Sequence, residues 1–259
     1  MRIKFVSLLT MALTVSAVQI ASAADLPTKA PVYKAPPPVV AYNWAGFYIG
    51  AHVGGAWGNT DISQFSDFLE GGSMNVSGAF GGGQIGFNWM ASPNILLGLE
   101  ADVSGGKLSG SMNTSPPFVS PERLLYEDKI DVFGTARGRV GYVQNNWLVY
   151  GTGGFAWAED TLSRTQLAGN PQFSPPIGSV FSHDGTRTGW TAGAGIEWGI
   201  APHWSAKLEY LYMDFAGQNF NFADVTHPLG TPCSGGNICV TEGHLKVNTI
   251  KVGVNYIIN

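Results

Sequence analysis

Charge is what this sequence has least of. Only 12% of its 259 residues are Asp, Glu, Lys or Arg, about half the roughly 25% usual in soluble domains. Such a chain is poorly matched to the mixed-charge surface that keeps a soluble domain dispersed. Basic residues are also few, with 14 Lys and Arg against 18 Asp and Glu, so nothing here suits the acidic backbone of nucleic acid. Cysteine occurs only twice, at Cys233 and Cys239, too few for a disulfide-stapled scaffold. Beyond the first residues there is no window of about 18 consecutive apolar residues, so no membrane-spanning helix is expected. If the chain enters a bilayer it must do so as strands.

The start of the chain reads as an address. Arg2 and Lys4 form a positive n-region, Phe5 to Val18 is an apolar stretch, and Ala21-Ser22-Ala23 has the A-x-A form of a cleavage site, so residues 1–23 are expected to be an export signal. Without them the formal charge falls from −4 to −6. Residues 24–43 hold Pro27, Pro31, Pro36, Pro37 and Pro38, which fix backbone torsions and remove amide donors; we read this segment as an extended periplasmic linker. Residues 44–259 remain for the folded domain.

What fills that domain is alternation. Eight runs place apolar residues on one parity and polar ones on the other, as strands between lipid and a lumen require. In the first, Phe47, Ile49, Ala51, Val53 and Trp57 oppose Tyr48, Gly50, His52 and Gly54; in the second, Ile85, Phe87 and Trp89 oppose Gln84 and Asn88. The third sets Ile95, Leu97, Leu99, Ala101 and Val103 against Glu100 and Asp102. The fourth sets Ile130, Val132, Ala136, Val140 and Tyr142 against Asp131, Thr135, Arg137 and Arg139. Trp147, Val149, Phe155 and Trp157 oppose Tyr150 and Thr152 in the fifth, and Trp190, Ala192, Ala194, Ile196 and Trp198 oppose Glu197 in the sixth. The seventh pairs Trp204, Ala206, Leu208, Tyr210 and Tyr212 with Lys207 and Glu209, and the eighth pairs Ile250, Val252, Val254, Tyr256 and Ile258 with Lys251 and Asn255.

The connections alternate in length. Ala91-Ser92-Pro93-Asn94, Asn145-Asn146 and Ala201-Pro202-His203 are short, whereas 59–77, 106–128, 160–187 and 216–242 are long, as in bacterial barrels with short periplasmic turns and longer external loops. The fold predicted is all-β, an eight-stranded antiparallel up-and-down transmembrane β-barrel. Its tryptophans, Trp44, Trp57, Trp89, Trp147, Trp157, Trp190, Trp198 and Trp204, sit near run ends and are assigned to an interfacial aromatic girdle. Charged residues of both signs share the inward parity: Glu100, Asp102, Asp131, Glu197 and Glu209 with Arg137, Arg139, Lys207 and Lys251. In a confined interior such charges should pair, with Glu100 or Asp102 meeting Arg137 or Arg139 as the preferred contact.

With these features in place, the chain resembles the small porin-like outer-membrane β-barrel surface antigens, related in architecture to the opacity-type proteins. The resemblance rests on Ala24-Asp25-Leu26-Pro27 and the Pro-rich lead, Trp44-Ala45-Gly46-Phe47-Tyr48-Ile49-Gly50, and Ala136-Arg137-Gly138-Arg139-Val140-Gly141-Tyr142. It rests also on the segment from Gly189 to Glu197 and on Lys251-Val252-Gly253-Val254-Asn255-Tyr256. It implies an abundant surface-exposed envelope protein with no cofactor and no catalytic residues. Such barrels usually end on an aromatic residue; this one ends Tyr256-Ile257-Ile258-Asn259.

Three sharper signals compete with that reading. Gly81, Gly83 and Gly86 have the spacing of a dinucleotide fingerprint, with Glu100 and Asp102 downstream, but they lie inside a strand run and a tight turn follows where the motif needs a helix. Cys233 and Cys239 share the last long loop with His227 and His244, a superficially metal-like set. Five residues separate the cysteines where zinc pairs usually have two to four, so in an exported chain a loop disulfide is the better reading. His203-x-Ser205, with Glu209 as an orienting acid, is similar to the pair of a lipid A deacylase barrel family, but it begins at a short turn on the periplasmic side.

The function expected is therefore a structural outer-membrane protein whose loops make contacts outside the cell. A small-solute porin is the main rival and a lipid-modifying enzyme the third. Outer-membrane lipid and lipopolysaccharide are the expected partners, with an external ligand or host surface at the loops and no nucleic acid. No cofactor is expected.

Overall fold

The computed structural model describes residues 42–64, 72–114, 123–169, 176–222 and 238–258. The expected signal, most of the linker, and Cys233 with its expected bond to Cys239 lie outside the described residues. The strands are β1 (Gly46–Gln64), β2 (Gly72–Ser92), β3 (Ile95–Thr114), β4 (Arg123–Gln144), β5 (Trp147–Ala168), β6 (Val180–Ala201), β7 (Trp204–Phe215), β8 (Gln218–Phe222), β9 (Ile238–Glu242) and β10 (Leu245–Ile258). Each of β1 to β6 pairs antiparallel with the next, β7 pairs with β10, and β10 returns to β1. Val53 marks the closure: it faces Gly81 on β2 and Val252 on β10. Eight strands thus form a closed up-and-down ring, which leaves no edge exposed at membrane depth.

Alternation determines which face each residue takes. Phe47, Ile49 and Val53 are exposed on the outer wall, while Tyr48 and His52 between them are buried inside. From Phe47 to Trp57 along a tilted strand is roughly 25 Å of height, the thickness of the apolar band such barrels present to lipid. Two aromatic levels bound it. Trp89, Trp147, Trp198 and Trp204 lie beside the short turns, with Trp147 and Trp198 stacked at 5.4 Å; Trp57, Trp157 and Trp190 lie toward the other rim.

The short turns are two-residue hairpins. At the turn joining β4 to β5, Asn145 has a φ of 57°, a left-handed conformation that Asn tolerates better than most residues with a side chain. Trp44 donates its indole N–H to the Asn145 carbonyl at 3.3 Å. It is only 1% exposed, so Trp44 belongs to an internal plug and not to the girdle. A residue at the barrel mouth, before the first strand begins, has no strand parity to read.

The structure alters two other expectations. First, strands continue through much of what reads as long loop: Gly110 pairs with Asp128, and Ser163 with Ser182, raising the wall on the extracellular side. Second, the β4 register shifts between Ile130 and Val132 against β5, and the β3 register shifts between Gly105 and Leu108. This β-bulge reverses the facing of the residues beyond it. Ile130, read as outward, is buried inside at 2% exposure, and Asp131, read as inward, is exposed on the outer wall.

Candidate functional site, the filled lumen

Descending β4 gives the order of layers inside the ring. Leu124 and Tyr126 come first, packed with Met74 and Leu162. Ile130 and Phe133 follow, within an apolar layer that includes Phe80, Leu108, Met213 and Val247. Arg137 and Arg139 come next, in an ionic layer. Val143 is last, packed with Trp44, Tyr48, Leu96, Leu148 and Ile257 at the periplasmic end. Eight strands enclose a space that side chains just fill, and here they fill it with alternating oil and charge.

The ionic layer contains four cations and four carboxylates, all buried. Arg137 Nη2 lies 2.5 Å from Glu100 Oε1 and 2.9 Å from Asp102 Oδ2, and its Nη1 lies 3.0 Å from Glu209 Oε1. Arg139 Nη1 is 3.1 Å from Glu197 Oε2, and Lys207 Nζ is 2.9 Å from Glu100 Oε2. Lys251 Nζ bridges Asp102 at 3.2 Å and Glu209 at 3.1 Å. Charges removed from water are tolerable only when paired and when their remaining lone pairs are satisfied. Neutral donors satisfy those lone pairs: Tyr48 donates to Glu100 at 2.7 Å, Tyr150 to Glu209 at 2.8 Å, Thr135 to Asp102 at 2.6 Å and Asn255 to Glu197 at 2.7 Å. The Arg139 guanidinium lies over the Tyr48 and Tyr150 rings at 4.8 and 5.2 Å, a stacking that Lys would not reproduce.

Two glycines make room for those rings. A Cβ on Gly86 would lie 2.3 Å from the Tyr48 ring, and one on Gly195 would lie 2.5 Å from that of Tyr150. Beside the ions, His52 contacts Gln84 at 2.5 Å and Ser104 at 2.8 Å, and Gln84 donates to Asn255 at 2.8 Å. Farther toward the outer rim, Arg187 Nε meets Asp160 Oδ2 at 2.8 Å, both buried. Those two residues bound the third long loop in the sequence reading, yet the inward alternation Ala156, Ala158, Asp160, Leu162 and Arg164 marks a continuing strand. At the periplasmic mouth, Tyr42 packs against Gly199, where burial pushes its phenol up to about 12.

Of the residues expected in the charge network, Glu100, Asp102, Arg137, Arg139, Glu197, Lys207, Glu209 and Lys251 come together, and Asp131 stands outside. The deacylase-like arrangement is not assembled. Ser205 is buried and donates to Glu197, whereas the His203 imidazole lies 3.2 Å from the Ile257 carbonyl oxygen and Glu209 is held by Arg137, Lys251 and Tyr150. Gly81, Gly83 and Gly86 lie within β2, which is followed by a two-residue turn and β3 where the motif needs a helix. His244 pairs with Asp214 at 2.7 Å. A groove of about 620 Å³ on the outer wall, lined by Ala51, Ala206, Leu208, Val252, Trp147 and Trp198, is apolar and faces lipid.

This ring with its apolar outer band agrees with what comparison finds. A family model described as an outer membrane protein beta-barrel domain matches residues 7–257. The chain belongs to that family. Family relatives include the 31 kDa outer-membrane immunogenic protein of Brucella melitensis biotype 1, 33% identical over 245 residues that cover 91% of this chain and 92% of the relative. The 25 kDa outer-membrane immunogenic protein of Brucella canis is 27% identical over 255 residues, 94% of this chain and 98% of its own length. A 22 kDa outer membrane protein of Rhizobium leguminosarum bv. viciae is 29% identical over 182 residues, 69% of this chain and 68% of its own. Like these family members, the chain is a protein of the cell outer membrane.

Proposed function

We propose that this barrel is a closed, non-catalytic structural element of the outer membrane that offers its extracellular connections for contact with lipopolysaccharide and with external surfaces. The observation that carries the reading is the sequence of layers in the lumen: three apolar plugs with buried, mutually neutralising ions between them. An ion crossing such a barrel would have to separate Arg137 from Glu100 and displace Phe80 and Phe133, which pack edge to face at 5.1 Å. Breaking one buried pair costs about 3–5 kcal/mol, so conduction through the resting barrel is disfavoured.

The raised extracellular wall supports the contact role. Strands that extend past Trp57, Trp157 and Trp190 carry Lys107, Lys129, Asp131 and Glu159 on their outer face, at the level where lipid headgroups begin. The Brucella relatives are named immunogenic, which accords with a surface seen from outside. Planar-bilayer recording of the purified full chain tests closure, and protease treatment of intact cells tests exposure.

A further inference from the structure

The strands do not stop at the lipid boundary, and their tilt lifts one stretch of outer wall well clear of it. Directly opposite residues form a row from β1 to β6: Trp57, Ser77, Ser109, Lys129, Thr161 and Asp184. In a tilted barrel such a row climbs. Trp57 stands at the upper edge of the apolar band, but Thr161 lies four residues beyond Trp157 and Asp184 six beyond Trp190. Along strands inclined at about 40°, those steps raise Thr161 by about 10 Å and Asp184 by about 15 Å above the aromatic level. The polar layer of a phospholipid leaflet is only about 5–7 Å deep.

The next row repeats the chemistry: Ser111 faces Glu127, Glu127 faces Ser163 and Ser163 faces Ser182. Ser109, Ser111, Lys129 and Ser182 are exposed on the outer wall, and Thr161 and Ser163 are half-buried among them. Cross-strand bonds hold the hydroxyls in place: Thr161 donates to Asp184 at 2.8 Å, and the Ser163 and Ser182 oxygens are 3.0 Å apart. Rows about 6.8 Å apart on strands about 4.8 Å apart thus present a lattice of hydroxyls. Lys129 sits within it, flanked by Ser109 and Thr161.

We propose that this wall is a saccharide-contact surface for the glycolipid of the outer leaflet, with Ser109, Ser111, Thr161 and Ser163 bonding sugar hydroxyls and Lys129 taking an acidic group of the sugar chain. The inference rests on the reading that the extracellular side meets lipopolysaccharide, and it names the part of that molecule that is bound. The wall continues upward from the lipid-facing band, so whatever lipid lines the band also meets the rows above it. Height then separates the candidates: a phospholipid headgroup ends below Thr161, whereas a glycolipid carries sugar rings past it. Chemistry agrees. A sugar hydroxyl both donates and accepts, as Ser and Thr hydroxyls do, and the Glu127 and Asp184 carboxylates add acceptors. Side chains as short as Ser lose little rotamer freedom on contact. A protein partner would bury an apolar or aromatic centre, which the row from Ser111 to Ser182 does not contain.

The test titrates the purified full chain, in detergent micelles, with lipid A and separately with lipopolysaccharide that joins a saccharide core to the same lipid A. Native mass spectrometry reads the bound fraction. The core should tighten binding about tenfold or more, as a few added hydrogen bonds would. Ser109→Val, Lys129→Gln and Thr161→Val together keep side chains that suit a strand and should cut that preference to about twofold or less. Lipid A should bind the triple variant as before, and the heat-modifiable folded form should persist. Equal binding of the two glycolipids by the unmodified chain, or a preference that survives the triple variant, would overturn the saccharide wall and leave the lipopolysaccharide contact standing. Binding of neither glycolipid would overturn both.

Discussion

Glu100 on β3 stands directly opposite Arg137 on β4, and the two are joined at 2.5 Å with neither side chain more than 2% exposed. Neither residue is closed as a pair. Glu100 also receives Lys207 and Tyr48, and Arg137 also reaches Asp102 and Glu209, so removing either side leaves several buried partners unsatisfied.

Replacing Arg137 and Arg139 together by Ala should lower the temperature at which the folded, fast-migrating form is lost on a gel. Each stranded carboxylate costs about 3–5 kcal/mol. The control is Ala136→Val: Ala136 faces lipid next to Arg137, and its replacement should leave that temperature nearly unchanged.

The bulge makes a prediction that simple alternation reverses. Ile130→Asp buries a new carboxylate close to the buried Asp128 and opposite Asp160 and should abolish most of the folded fraction. Asp131→Leu should change stability by no more than about 0.5 kcal/mol, as for an ordinary surface position. Urea titration of the two refolded variants decides which residue is inside.

Glycines separate by location. Gly86→Ala would place its methyl 2.3 Å from the Tyr48 ring, an overpacking that should cost about 1–3 kcal/mol. Gly151→Ala meets nothing within 4 Å and should be neutral. Their midpoints in urea should differ accordingly.

The ring itself was legible because lipid permits no charge on the outer parity. Glu100, Asp102, Arg137, Lys207 and Lys251 could take only the other one, and the same parity carries them to the lumen wall. What alternation could not convey was a change of phase. Asp131 follows Ile130 in a run that looks unbroken, and nothing in side-chain chemistry marks the residue that the bulge adds. Trp44 precedes the first strand, so its indole could be placed by composition but not by parity. The Asp160 and Arg187 pair was hidden differently: above the lipid, polar residues are allowed on both faces, and the contrast that reveals a strand fades although the ladder continues. The Tyr48 and Tyr150 hydroxyls lay on the inward parity as well, but their partners, Glu100 and Glu209, come from strands whose register no single run specifies.

Cys233 and Cys239 are expected to be joined in the exported protein. A peptide map without reduction should recover them in one linked species, and two alkylatable thiols would refute the bond.

The central claim is that the lumen is filled and closed, and single-channel recording of the purified, unmodified chain in a planar bilayer tests it most directly. The account predicts a silent membrane at voltages where open porins conduct, because the ions are held in pairs between apolar plugs. Large, steady conductance steps from the unmodified protein would contradict it and favour a small-solute pore.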